Sequence, residues 1–197
     1  ELDVYQLAIT KTGTGTGTVT STPAGINCGE TCSYNYNAGT SVTLTATPEA
    51  GSTFSGWTGA CTGTDTCVLA ISEAKNASAE FTLNSYTITA TAGDNGSIAP
   101  TGETVVNHGG TQAYTITPNE GYRVEVVLVD GSSVGSITEY EFSNVTTSHT
   151  ISVTFTLDTH NITASASEGG SVTPSGVTAV NNGGSQSYTI TANEGYH

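Results

Sequence analysis

The chain has 197 residues, room for one large domain or two to three small ones. Its 59 Thr and Ser, 24 Gly and absence of Met favour strands and turns over helices. With 17 acidic residues against 3 basic the net charge is -14, a surface that repels phosphate backbones and anionic lipid and so excludes nucleic-acid and membrane-surface partners. No apolar run reaches the ~20 residues of a membrane-spanning helix. There is neither an initiator Met nor a signal-peptide pattern, which reads as a processed product or a piece of something longer. The composition is that of an exported β-protein, extracellular or at the cell surface, and argues against an intracellular enzyme.

In chain order, Tyr5–Thr10 alternates apolar and polar residues and reads as an opening strand. The tract Lys11–Thr18 resembles a glycine-rich phosphate loop only superficially. It lacks the terminal Gly-Lys-Ser/Thr and a following helix, and is expected to be a flexible hairpin tip. Four cysteines follow, Cys28, Cys32, Cys61 and Cys67. An even count in an exported chain points to two disulfides, with local pairing (Cys28–Cys32 and Cys61–Cys67) preferred and the crossed alternatives left open. Gaps of three and five residues match neither the close pairs of structural zinc nor a redox motif, so no metal or cofactor is expected there. Trp57 lies among glycines. A lone Trp in a small β-unit is expected in the core, while an exposed one, with Tyr34 and Tyr36, would make a stacking platform for sugar. Only Ile71–Ala79 has residues suited to a helix, and it is short.

Further along, Tyr86–Ala90, Tyr114–Thr117 and Thr150–Phe155 alternate with period two. Their Thr residues suit a solvated sheet face. Asp94-Asn95-Gly96, Asn107–Gly110, Asn119-Glu120-Gly121 and Asp130-Gly131 carry turn chemistry. Val124–Val129 is the most apolar run and is expected to be the best-buried strand of its region. His108 and His160 fall in or beside predicted turns, His149 precedes a strand, and His197 is the last residue. None has ligand spacing or a Ser/His/Asp arrangement. Glu139 and Glu141 share one strand face, which reads as solvated rather than as an acid/base pair. Asp94 and Asp130 fall short of the ligand density of a calcium loop. The sequons at Asn76, Asn144 and Asn161 are cheap matches in so Thr-rich a chain.

Self-similarity is the strongest signal. Residues 86–123 align without a gap on 160–197 at a period of 74, so that Pro100 meets Pro174, Tyr114 meets Tyr188 and Gly121-Tyr122 meets Gly195-Tyr196. A divergent copy opens the chain: Ala38-Gly39-Thr40 corresponds to Gly109-Gly110-Thr111 and Leu44–Pro48 to Tyr114–Pro118. Ser78–Phe81 and Ser152–Phe155 close the first two copies alike. The expected organisation is an all-β chain of small units of about 75 residues, Ig-like or β-grasp-like, at 1–83, 84–157 and an incomplete 158–197. The joints at Asn84-Ser85 and Asp158-Thr159 hold no Gly/Ser tract, which predicts a rod rather than a flexible string.

Gly25–Gly29 with Cys32, Ala38–Pro48, Gly51–Cys61 with Cys67, and Ala79-Glu80-Phe81 together resemble the divergent internalin-B-type repeats of bacterial surface proteins. The second and third copies, with Gly-Gly-(Thr/Ser)-Gln-(Ala/Ser)-Tyr-Thr-Ile-Thr and Asn-Glu-Gly-Tyr, are similar to the cysteine-free version. The resemblance implies a compact β-grasp-like unit with a short helix and tandem use as a spacer, stalk or adhesion module, with no catalytic residues. A non-catalytic structural or adhesive surface module, part of a stalk, adhesin or fibre, is therefore the expected function. A carbohydrate-binding module centred on Trp57, Tyr34 and Tyr36 is the alternative. The half copy implies either a longer array, which is preferred, or strand donation to residues 158–197 from a neighbouring copy.

Overall fold

The computed structural model describes residues 3–29 and 31–197, and among these every regular element is a strand. The first repeat contains β1 (Val4–Thr12), β2 (Gly17–Thr22), β3 (Ser33–Asn37), β4 (Ser41–Pro48), β5 (Ser52–Gly59), β6 (Cys67–Ala70) and β7 (Lys75–Leu83). They form two sheets, ordered β3-β1-β7-β5 and β2-β4-β6. β1 and β7 run parallel, from Leu7 opposite Lys75 to Thr12 opposite Glu80, while the other pairs are antiparallel. A parallel pair needs a long crossover. Here the crossover is nearly the whole repeat, so its first and last strands lie side by side and close it.

The period-two pattern is what buries the core. Leu7 and Ile9 of β1 and Ala77, Ala79 and Phe81 of β7 meet Val19, Val42, Leu44 and Leu69 of the second sheet in one cluster. Each fully buried Leu, Val, Ile or Phe contributes about 1.5–3 kcal/mol. The alternate positions, mostly Thr and Ser, stay wetter.

The all-β expectation holds, and one local expectation does not. Ile71–Ala79 holds no helix: from Lys75 onward it is β7, because Ala77, Ala79 and Phe81 alternate inward and burial on a sheet outweighs the helix preference of Ala, Glu and Lys. Nor is Lys11–Thr18 a hairpin tip. β1 and β2 belong to different sheets, so residues 13–16 cross between them. That crossing is pinned to β7: the Gly15 amide donates to the Phe81 carbonyl at 2.8 Å and the Leu83 amide to Thr14 Oγ1 at 3.2 Å. Gly13 has φ +93°, and a Cβ there would collide with the Phe81 carbonyl.

The second repeat contains β8 (Ser85–Ala92), β9 (Gly96–Ala99), β10 (Gly102–Asn107), β11 (Gln112–Pro118), β12 (Tyr122–Val129), β13 (Ser132–Gly135), β14 (Glu139–Phe142) and β15 (His149–Leu157). Its sheets, β10-β8-β15-β12-β13 and β14-β11-β9, repeat the first topology with β13 added, and β8 with β15 is again parallel. Val124–Val129 holds two buried residues, as many as β8, β11 or β15. A register shift between Val124 and Val126 breaks the alternation, so that only Val124 and Val127 are buried.

Four more strands follow: β16 (Thr159–Ala164), β17 (Gly170–Thr173), β18 (Gly176–Asn181) and β19 (Thr189–Ala192). They form two separate pairs, β16-β18 and β17-β19. The contacts of the chain fall into two compact units. One runs to Tyr86 and takes in Val105–Thr111 and Ser143–Thr147; the other comprises Thr87–Thr104, Gln112–Phe142 and Ser148–His197.

Candidate functional site

The cysteines lie in local pairs at disulfide distance, Cys28 with Cys32 and Cys61 with Cys67, with Cα atoms 4.3 and 5.8 Å apart. Cys28, Cys61 and Cys67 are buried in the core of the first repeat. Sulfurs paired in this way fasten the loops preceding β3 and β6, and are committed to each other rather than to a metal.

Trp57 on β5 is 3% exposed. Its ring packs edge-on against Phe54, with centroids 5.2 Å apart, and its indole N–H donates to the Asp65 carbonyl at 2.9 Å. A ring whose faces are in the core and whose one polar atom is satisfied offers no platform to a sugar, so the binding role suggested for Trp57 is withdrawn. Tyr36 is 4% exposed, its hydroxyl 2.7 Å from Ser21 Oγ and 3.3 Å from the Pro23 carbonyl. Of the three aromatic candidates Tyr34 alone stands out, 46% exposed and tilted against Tyr36 at 4.8 Å. It lines an open hollow with Gln6, Ser33 and Asn35.

The histidines separate into different settings. His149 opens β15, and its Nδ1 lies 2.7 Å from Asp130 Oδ2. The Thr150 amide donates to the other carboxylate oxygen at 2.8 Å. These hydrogen bonds, the one from His149 foremost, hold the Asp130 carboxyl below its ordinary pKa. Together they tie the Asp130-Gly131 turn to the start of β15. His160 lies within β16 opposite Val180, not in a turn. Glu139 and Glu141 are exposed on β14, with Tyr140 and Phe142 on its other face.

Sequence reasoning missed a clasp that occurs twice. At Asn84, the connection between β7 and β8, the backbone N–H donates to the Gly51 carbonyl at 2.8 Å and the carbonyl accepts from the His108 amide at 2.8 Å. Thr53 Oγ1 donates to Asn84 Oδ1 at 2.7 Å. Asp158, the next connection, repeats this: its N–H donates to the Gly121 carbonyl at 2.7 Å, its carbonyl accepts from the Asn182 amide at 2.8 Å, and its carboxylate meets Arg123 Nε at 3.4 Å. Gly51 and Gly121 both take positive φ, and a Cβ on either would strike the side chain at position 108 or 182. The side-chain partners differ, Thr–Asn in one and Arg–Asp in the other, while the backbone bonds are the same. The signal available in sequence was the recurrence of glycine, a polar residue two positions on, and Asn or Asp at the joint.

A family model of the divergent InlB B-repeat domain matches residues 5–85 and again residues 86–159. No curated protein sequence matches the chain. Among solved structures, the Bacillus anthracis TIE protein is similar over 98% of this chain and 42% of its own, at 9% identity and a TM-score of 0.49. The chain thus spans less than half the length of that protein.

Proposed function

This chain belongs to the divergent InlB B-repeat family, and we propose that it is a non-catalytic spacer in an extracellular bacterial protein, its repeats strung as an extended stalk or fibre that carries adhesive parts. The clasp at Asn84 and Asp158 carries this reading. A flexible linker would leave backbone groups at the joint to water. Here the joint residue's N–H and C=O are both bonded, the same way twice, by positions that recur with the repeat. That is how a chain adds units with a limited range of bending. The exterior supports the same reading: at -14, hydroxyl-rich and almost free of basic residues, it suits a solvated, self-repelling spacer. Small-angle scattering tests it. An extended particle is expected, and inserting four glycines after Asn84 should broaden its distance distribution. A compact globule, or a profile untouched by the insertion, would count against it.

A second reading rests on Tyr34, an exposed ring that lines an open hollow with Gln6, Ser33 and Asn35, a combination of aromatic and amide groups that suits a sugar. A glycan array would test it, with Tyr34→Ala expected to abolish any hit and Trp57→Phe to leave it unchanged.

A further inference from the structure

The two complete repeats cover the same sheet edge by different means. β5 and β12 are counterparts: each starts directly after a positive-φ glycine, Gly51 or Gly121, and each carries a register shift at the same place, Phe54/Gly56 in one and Val124/Val126 in the other. Beyond β12 lies β13, paired from Val127 opposite Gly135 to Val129 opposite Ser132. Beyond β5 there is, among the described residues, no strand. A single bridge stands in its place, Trp57 opposite Gly63. Counted from Gly51 and Gly121, Trp57 and Val127 are the same position. Their partners also match, since Gly63 and Gly135 both take positive φ, +86° and +93°.

What fastens each cover differs. β13 is the return arm of a hairpin, held by its ladder and by the Asp130-Gly131 turn, whose carboxylate accepts from the Thr150 amide at 2.8 Å. Residues 60–66 have a bridge in place of a ladder. The Ala60 amide donates to the Asn76 carbonyl at 2.8 Å, which ties the start of the loop to β7. Farther along, the Gly63 carbonyl accepts from the Trp57 amide at 2.7 Å and the Asp65 carbonyl from the indole N–H at 2.9 Å. Thr62–Thr66 is exposed throughout, and its two ends are joined by Cys61 and Cys67, both buried in the core. A covering loop is one way a protein keeps a strand edge from pairing with other chains. In the first repeat that cover depends on one reducible bond.

We propose that Cys61–Cys67 is a redox latch over the outer edge of β5. A dithiol opens it: the two sulfurs of the reductant join as a disulfide, the Cys61–Cys67 bond breaks, and the two thiol protons pass to the cysteine sulfurs. Residues 62–66 then swing away from the Ala60 anchor, and the Trp57 amide and indole N–H exchange their protein partners for water. β5 carries no charged residue, so the opened edge lacks the charges that ordinarily discourage strand pairing, and its protection rests on the latch. The second repeat has no cysteine and keeps its edge closed under β13. This inference does not depend on the stalk reading, because it concerns the closure of one repeat and not the arrangement of the repeats.

Native-state hydrogen exchange on the whole chain tests this, comparing the oxidised protein, the protein treated with dithiothreitol, and Cys61→Ser with Cys67→Ser. The readout is exchange at the Trp57 amide and indole relative to the Leu44 amide, which separates local opening from a general loss of stability. That ratio is expected to rise about tenfold or more in the reduced protein and in the serine variant, with a red shift of Trp57 emission and no change at Val127. Cys28→Ser with Cys32→Ser, still oxidised at Cys61–Cys67, should leave the ratio unchanged. Should the 61/67 variant not fold, wild-type protein trapped with iodoacetamide at increasing times of reduction gives the same ratio for molecules alkylated at Cys61 and Cys67 alone. An unchanged ratio once both thiols are free would overturn the proposal, as would an equal rise in the 28/32 variant. So would a Cys61–Cys67 bond that resists every dithiothreitol concentration at which Leu44 stays protected.

Discussion

Residues 86–123 and 160–197 are close copies that end up in different states. In the first, Ile88, Ile98, Tyr114 and Ile116 are buried; in the second, their counterparts Ile162, Val172, Tyr188 and Ile190 are half-buried or exposed. Strand length follows the same division. β11 begins at Gln112, where β14 pairs with it through Tyr140–Phe142, while β19 begins only at Thr189, and Gln186–Tyr188, which would face a β14 counterpart, are not strand. Local pattern therefore selects strand and face, and burial depends on strands that arrive from later in the chain.

The largest effect should come from substituting the same residue on both sides of this comparison. Ile116→Ala removes a buried side chain and is expected to cost about 2–5 kcal/mol, whereas Ile190→Ala at an exposed site should stay within about 0.5 kcal/mol. Residue-resolved hydrogen exchange under mild denaturant reads both, and similar costs would break the comparison. Next in size are the cysteines, which only the first repeat has. Closing loops this short contributes about 2 kcal/mol each in the chain-entropy view. Cys28→Ser with Cys32→Ser should therefore lower the denaturation midpoint reported by Trp57 fluorescence and leave exchange in β8–β15 unchanged.

A smaller effect sharpens the comparison of the two complete repeats. Tyr114 is 1% exposed and its hydroxyl has no partner among the described residues, while the matching position in the first repeat is Leu44, fully buried. Tyr114→Phe should raise stability by about 1 kcal/mol by removing an unpaired buried hydroxyl. A loss of stability on thermal denaturation would show that the hydroxyl is paired in solution.

Smallest is the Asp130–His149 link, which is partly exposed. Because the folded state holds the Asp130 carboxyl below its ordinary value, its contribution is present above the unfolded carboxyl pKa and is lost as pH falls through the folded one. Asp130→Asn should cost at most about 1 kcal/mol near pH 6. The gap from wild type should close in strong acid, and a gap that persisted there would locate the effect in the turn rather than in the charge.

Much of the fold was legible before any coordinates. The 74-residue period, the strand class and the local cysteine pairs all rest on spacing, and spacing is a property of sequence. The failures share a cause. Lys11–Thr18 looks like a free tip but is pinned to β7, and Tyr36, a candidate for sugar stacking, is buried. In each case a partner dozens of residues away, or across a sheet, outweighs the local preference.

The candidate site was less legible still. Tyr34 and Tyr36 are two residues apart and would be expected on one face of β3, yet one is exposed and the other buried, its hydroxyl bonded to Ser21 and Pro23. The clasp at Asn84 and Asp158 is made by backbone atoms, and its only trace in sequence is the recurring glycine, the polar residue two positions on, and Asn or Asp at the joint. Sequence alone determined the repeat, the alternation and the charge, because these depend on residue identity and order. Tertiary structure alone decided which alternate residues are dry and which glycines lie under a ring, because each depends on a neighbouring strand about 5 Å away or a facing sheet about 10 Å away.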